Sequence, residues 1–540
     1  MRNLSICMLL GAAMATITAA SFLFGQAEGG RRFQQFDKNG DGKVTREESG
    51  NAPWFDTLDA NRDGVITREE AVEAARSRPR PGGGGGSADA LAYDPGSTRP
   101  MPLSESKAFT ELRFTRDLVF GTKDRHGKLM TGTECNYLVA HGGRLYAAVS
   151  VWNHDPAAPN PGPAVLAKRS ADSPWEVDAY FGARNARVPV LASLKLTTDG
   201  DGTKLATPAS LLVAGTGGLE HPGEIVVFVR DDATSKWIKS VVSPAPGLRS
   251  YEVRHLFTHL DRVTGVDRVF TAVSSGSVFS GVYDPSVPGQ IDWDPEPELA
   301  GRLARIMSWG EANGDAYLAV DITPDAPKNG GLFRRVDGPQ PRWEWIGEWG
   351  HRVQHRGVAW VRGLTAIPDP EQPGKELLLC SREVDGVIEV IDPQRNHEAR
   401  VEFDLRKHFG GLVGAREGQR VTTIFAYNGM TPAVHPDTGQ RVHLIGGGVI
   451  AAGGYAWSKS AWYLVRHADG RYATGEVRDR LHEPQAVGGL RSVRTICISP
   501  FPEDKGRILY FGGFDAGDLG LGLKYRDAGW VYKGTLSEKP

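Results

Sequence analysis

Cysteine is scarce in this chain. There are four in 540 residues: Cys7 sits in an N-terminal apolar run, and Cys135, Cys380 and Cys497 are dispersed. Three isolated cysteines with no CxxC spacing make no disulfide framework, so they read as small buried apolar residues. An excess of one charge is missing too. Lys and Arg number 63 and Asp and Glu 65, for a formal net charge of −2. Nothing therefore steers the chain toward nucleic acid or anionic lipid. The sequence also lacks HExxH, a GxSxG nucleophile elbow, a P-loop and a dinucleotide fingerprint. No motif assigns a catalytic residue, and after residue 27 no stretch is apolar enough to span a bilayer.

The N-terminus has the three parts of a secretory signal. Arg2 supplies the positive start, an apolar run extends from Leu4 to Phe24, and Gly25-Gln26-Ala27 offers a small-x-small cleavage site. Residues 1–27 are expected to be removed, leaving a secreted or periplasmic protein with no membrane segment. An uncleaved anchor is the alternative, because the run is long enough to span.

Two segments carry a metal-ligand pattern, DKNGDGKVTREE at 37–48 and DANRDGVITREE at 59–70. Ca²⁺ is a hard cation that takes six to eight oxygens, so a loop that binds it must wrap round it. Asp37, Asn39 and Asp41 in the first loop, and Asp59, Asn61 and Asp63 in the second, supply side-chain oxygens at alternate positions. Gly42 and Gly64 allow the sharp turn, and Lys43 and Val65 offer only their backbone carbonyls. Thr45 and Thr67 act through water, and Glu48 and Glu70 close each loop as bidentate ligands. Val44 and Ile66 are apolar, as two loops paired back to back require. Residues 31–76 resemble the EF-hand family, which implies a small α-helical pair with Ca²⁺ as cofactor. The intervening segment 49–58 is short and contains Asn51-Ala52-Pro53. Its helices must be brief, and the pair is expected to be a static calcium-stapled cap rather than an opening sensor.

Residues 77–104 contain five consecutive glycines and several prolines. They form a linker that buries no core. From 105 to 540 the pattern changes to short alternating strands. A buried strand recurs as RLYAAV at 144, LLVAG at 211, VFTAV at 269, AYLAV at 316, ELLLC at 376, VHLIGG at 442 and ILYFGG at 508. Each has an inner strand before it and a further strand after it. An outer strand, often carrying Trp, follows at WEVDAYF, WIKSVVS and WEWIGEW. The seventh unit runs out of chain, and residues 111–121 are expected to supply its outer strand and close the ring. The predicted fold class is all-β, a seven-bladed β-propeller preceded by the EF-hand pair. The likeness to propellers is architectural, without the WD dipeptide or a Kelch pattern.

Polar residues recur where the innermost strands begin. Arg254, Arg305, Arg362 and Arg494 are expected at one mouth of the channel, with Glu134 and Asn428 near equivalent points. Converging guanidiniums bind carboxylate, sulfate or phosphate. The alternative is that each Arg pairs with an acidic residue of a neighbouring blade. His255 and His259, and His351 and His355, are four apart and share a strand face, a weak metal pattern. Two functions fit. In one, the propeller is a recognition module for an anionic carbohydrate or another extracellular ligand, with Trp152, Tyr455 and Trp457 as loop platforms. In the other it is a lyase or hydrolase of an acidic polysaccharide. Tyr251, Arg254 and His255 would then be candidates for base and charge neutraliser in uronate elimination.

Overall fold

The computed structural model describes Asn39, Asp41, 43–50, Phe55, Asp59, 61–67 and Glu70 in the N-terminal segment. From Lys107 to Leu536 it describes all residues except 153–156, 158, 246–250, 275, 301–305, 321–330, 349–360, 384, 420, 452–459, 479–489 and 515–526.

Seven antiparallel sheets follow one another along the chain. Their innermost strands start at Glu134–His141, Val190–Thr198, Val253–Asp261, Ile306–Ala312, Val361–Pro368, Val421–Phe425 and Ser492–Ile498. Blades 1 to 5 are simple four-stranded meanders. In blade 6 the innermost strand is split: Val421–Phe425 and Thr431–Val434 both pair with Arg441–Ala451. Blade 7 has three strands of its own, and Arg113–Leu118 completes it by pairing with Gly529–Thr535. The ring is closed by the segment anticipated for this role, which supplies the outer strand of blade 7 and covers the edge of Gly529–Thr535.

Local chemistry explains the meanders. The inner hairpin of blade 1 turns on Gly142-Gly143 and that of blade 4 on Asn313-Gly314, all four with positive φ. Two-residue turns that match strand twist require this conformation, and Gly and Asn adopt it most readily. The middle strands are covered on both faces, as in Arg144–Ser150 and Ala461–His467, so they read as continuous apolar runs instead of alternating ones. Leu212, Val213, Leu318, Leu378, Leu379 and Leu464 are all fully buried.

The outer-strand tryptophans have a polar task as well as an apolar one. Lys168 and the Trp175 indole both donate to Asp117, at 3.2 and 2.6 Å, joining blade 1 to blade 7. One blade on, Arg230 grips Asp178 through two bonds of 2.9 and 3.1 Å while the Trp237 indole donates at 2.7 Å. Arg335 reaches Glu298 of blade 3 at 2.7 Å. Arg466 grips Glu402 of blade 5 at 2.7 and 2.8 Å, and the Tyr472 hydroxyl donates to the same carboxylate at 2.5 Å. The recurring clasp is a cation on the third strand, helped by an aromatic donor, holding a carboxylate at the outer part of the preceding blade. A forked guanidinium with a second donor satisfies most of the carboxylate lone pairs, which is what burial of such a charge requires.

The helices expected around the calcium loops lie outside the described residues, apart from Phe55 and Glu70, which are helical. The loops themselves pair as a short antiparallel ladder, with Val44 opposite Ile66. Both side chains are buried, as is Phe55, over whose ring Arg46 stands at 4.8 Å.

Candidate functional site

The two loops hold their oxygens in matching arrangements. Asn39 Oδ1 accepts from the backbone N–H of Asp41, and Asp41 Oδ1 from that of Lys43, both at 2.9 Å. In the second loop Asn61 and Asp63 repeat this toward Asp63 and Val65 at 2.9 and 3.0 Å. Asp59, buried at the start of the second loop, accepts from the N–H groups of Asp63 and Gly64. Glu48 accepts from the backbone and hydroxyl of Thr45, and Glu70 from those of Thr67, at 2.8–2.9 Å. The backbone N–H of Thr67 holds the Glu70 carboxyl below the usual carboxylate range, against a smaller opposing effect of burial. An all-oxygen, carboxylate-rich set on a tight turn fits a hard divalent cation. Asp37 lies outside the described residues. Among the described residues no group of three or more His, Cys, Asp or Glu is gathered closely enough to hold a metal.

A second site lies on the propeller axis, and irregularities in the innermost strands make it. In five blades the inner ladder skips residues close to its start. These are Asn136 in blade 1, Arg254 in blade 3, Met307 in blade 4, Gly363 and Leu364 beside Arg362 in blade 5, and Arg494 in blade 7. A bulge re-aims a side chain and is over-represented next to active sites. Blade 6 carries the largest departure: Ala426–Met430 intervene between Phe425, paired with Gly447, and Thr431, paired with Leu444. Tyr427 and Asn428 sit in that interruption, and the Asn428 amide reaches across to donate to the Asn136 carbonyl.

Together these residues enclose a cavity of about 20 Å³, lined by Asn136, Tyr137, Arg187, Arg254, Arg362 and Tyr427, among others. Around it runs a network of opposite charges. Arg494 Nε donates to Glu134 at 2.6 Å, and the Trp152 indole donates to the other oxygen of Glu134 at 2.5 Å. Arg362 pairs with Glu383 at 2.9–3.0 Å. Arg254 bonds Glu252, whose second oxygen lies 3.9 Å from Arg187. The guanidinium carbons of Arg362 and Arg494 stand 4.3 and 3.9 Å from the centre of the Tyr427 ring. Arg187 stands 5.2 Å over Trp152. Burial opposes ionisation of the Tyr427 phenol, but the charges of Arg362, Arg494 and Arg187 outweigh it and bring the group down to about 8. Tyr137 lines the same cavity, and there burial wins and pushes the phenol up.

The predicted residues fare differently. Arg254 and Arg362 line the cavity and Arg494 flanks it through Tyr427. Arg305 lies outside the described residues, and Met307 occupies the bulge of its blade. Pairing with carboxylates holds for the other three arginines: Arg494 reaches Glu134 of the next blade, while the Arg254–Glu252 and Arg362–Glu383 pairs lie within one blade. Tyr251 is a structural residue: it is buried, its oxygen accepts from the Val226 N–H at 2.7 Å, and burial pushes its phenol up. His255 donates toward the Ile306 carbonyl at 3.2 Å, while His259 is held between Glu311 and Asp337. They are engaged separately and form no metal pair. Tyr455, Trp457, His351 and His355 lie outside the described residues. Arg187 and Tyr427 were missed. Arg187 precedes its blade's innermost strand, and Tyr427 sits in a strand interruption whose one signal is the Asn428-Gly429 turn dipeptide.

The family profile described as EF hand matches residues 31–48 and 51–70. The chain thus carries an EF-hand segment followed by a seven-bladed β-propeller. No curated protein sequence matches. Among solved structures, Sqt1 of Saccharomyces cerevisiae is similar with a TM-score of 0.39 and 8% identity, over 78% of this chain and 100% of that one. An α-L-arabinanase of Penicillium chrysogenum gives 0.33 and 12%, over 79% and 100%. An α-L-arabinofuranosidase of Fusarium graminearum gives 0.34 and 10%, over 68% and 99%. Likenesses at this level carry no functional inference.

Proposed function

We propose that this is a secreted calcium-binding protein whose propeller recognises an anionic carbohydrate at the axial cavity. One observation carries the second part: three guanidiniums, of Arg187, Arg254 and Arg362, line one small polar cavity, and a fourth, of Arg494, stands over the Tyr427 ring in its wall. Three carboxylates, Glu134, Glu252 and Glu383, pair with them. The set thus holds four cations and three carboxylates, in a setting of low dielectric where field lines concentrate. The Arg254 Nε–H is buried and has no hydrogen-bond partner among the described residues. The cavity has room for a carboxylate or one to two waters, since one water needs about 10–15 Å³. It recognises an acidic head group, with the sugar ring outside. The calcium reading rests on the two oxygen-rich loops and their paired geometry.

A glycoside hydrolase is less well supported. Such enzymes need two carboxyl groups on either side of the scissile bond, free to act as acid and as base or nucleophile. Here Glu134, Glu252 and Glu383 are all tied to guanidiniums. The test is calorimetry of the purified protein with acidic and neutral oligosaccharides. Acidic ones are expected to bind, and Arg187→Ala or Arg254→Ala to weaken them at least tenfold, the loss expected for a charge-assisted contact. Equal binding of neutral sugars, or arginine variants that bind normally but melt lower, would make these residues struts.

A further inference from the structure

We infer that Tyr427 is a catalytic base that takes the proton next to the carboxylate of a 4-linked uronate bound at the axial cavity. This inference rests on the anionic-carbohydrate reading above and adds a reaction to it.

The first support is placement. Blade 6 breaks its innermost strand in two, inserting Ala426–Met430 between the two halves. Ala426 adopts φ 55 and Gly429 φ 114. A left-handed non-glycine residue costs on the order of 1–3 kcal/mol and persists where the surroundings impose it, commonly at functional sites. The insertion is pinned by the Asn428 amide on the Asn136 carbonyl and by Ala426 N–H on the Gly446 carbonyl at 2.9 Å. It presents Tyr427 to the cavity, with Arg362 and Arg494 over its ring.

The second support is the hydroxyl. Buried tyrosines often find a partner for it: Tyr180, Tyr251, Tyr463 and Tyr472 do, while the Tyr510 hydroxyl, outside the cavity lining, does not. The Tyr427 hydroxyl bonds to none of the described residues, although the ring is largely covered. It is therefore free to meet a ligand. His255, the other base lining the cavity, commits its Nε2 to the Ile306 carbonyl. Tyr137, the other phenol there, is harder to ionise because burial is not offset. Tyr427 ionises near neutrality for the reasons given above, as a general base should.

The chemistry then follows. A guanidinium on the uronate carboxylate withdraws charge and acidifies the adjacent C5–H. The Tyr427 phenolate takes that proton. The C5–H electron pair becomes the C4=C5 double bond, the bond from C4 to its glycosidic oxygen breaks, and the departing oxygen takes a proton from water. Nothing is oxidised or reduced. The products are a chain with a new hydroxyl end and a chain ending in an unsaturated uronate, and Tyr427 returns its proton to solvent. When Tyr427 ionises, the site gains one negative charge. The charged groups facing it are Arg362, Arg494, Arg187 and Glu134, and because ionisation removes net positive charge from the site, KM should rise with pH where kcat rises.

The test uses the full chain with polygalacturonate, alginate and glucuronan. It reads binding by calorimetry and the conjugated product by ultraviolet absorbance. The wild type is expected to bind at least one of them and release unsaturated product, with kcat rising as pH passes through about 8. Tyr427→Phe removes only an unbonded hydroxyl. It should bind and melt like the wild type while turnover falls by about 10²-fold or more. The C5 proton should wash out into D₂O with the wild type only. Binding without product or washout by the wild type overturns the base assignment and leaves recognition standing. Turnover by Tyr427→Phe at the wild-type rate also overturns it. Failure to bind any of the three overturns both readings.

Discussion

The inter-blade clasp yields a quantitative expectation for Asp178→Ala. Asp178 accepts three hydrogen bonds, two from Arg230 and one from the Trp237 indole. The Arg230 side chain is 1% exposed, so the substitution strands a buried cation. Breaking a buried pair costs about 3–5 kcal/mol when the survivor has no other partner. Arg230 keeps Asp232 at 2.6 Å, on a side chain that is 49% exposed, so the low end, about 3 kcal/mol, is appropriate. Unfolding entropy of about 2.1 cal/mol/K per residue over the ring gives about 0.9 kcal/mol/K. The expected fall in Tm is therefore about 3 °C. Scanning calorimetry of Asp178→Ala, beside Glu371→Ala as control, measures it. Arg395–Glu371 is a pair of similar length, 2.7 Å, with both side chains exposed, and its loss should not shift Tm measurably. An Asp178→Ala melt equal to wild type, or an equal drop in the control, would refute the argument that burial makes these clasps matter.

Other outcomes follow from the same geometry. A chain beginning at residue 125 loses the strand Arg113–Leu118 and should melt far below one beginning at residue 100, by circular dichroism. Calcium titration of the full chain should find two sites, with Glu48→Gln and Glu70→Gln each removing one, and affinities between about 10⁻⁷ and 10⁻³ M. Burial depresses the pKa of His259, but its bonds to Glu311 and Asp337 outweigh that and raise it. The stabilisation from His259 is thus complete below the ordinary histidine pKa and lost as pH rises through the higher folded value. The gap in urea midpoint between wild type and His259→Gln should shrink as pH rises, and a gap that widens would contradict this.

The blade count and the closing strand were legible in the sequence because covered middle strands leave apolar runs at regular spacing. Loop pairing through Val44 and Ile66 was legible because ligand order fixes which residue faces the partner loop. The axial cluster was legible only in part. Arg254, Arg362 and Arg494 stand out as charges at strand starts, but a strand start in sequence does not locate the bulge that aims a side chain. In blade 4 the bulge aims Met307, which the sequence pattern does not single out. Tyr427 is harder still to see, because an alternating pattern does not show five residues looping out of a ladder. The Trp-bearing segments were legible as outer strands, while their indole N–H bonds depend on a carboxylate more than fifty residues away, at Asp117 or Asp178.

Closure by an early strand also has a mechanical meaning. Arg113 lies opposite Thr535, so the segment that leads back to the EF-hands and the last strand's far end emerge at the same end of one antiparallel pair. Tension between the two would open that ladder like a zipper, one bond at a time, a low-force geometry compared with shearing all its bonds together. The chain has a brake upstream of the zipper. Phe109 and Leu112 are buried in the core between blades 6 and 7, and the Phe109 carbonyl is held by the Tyr463 hydroxyl at 2.8 Å. A pull from the N-terminal side meets this anchor before it reaches the strand. The ring is thereby insulated from whatever its EF-hand segment is attached to.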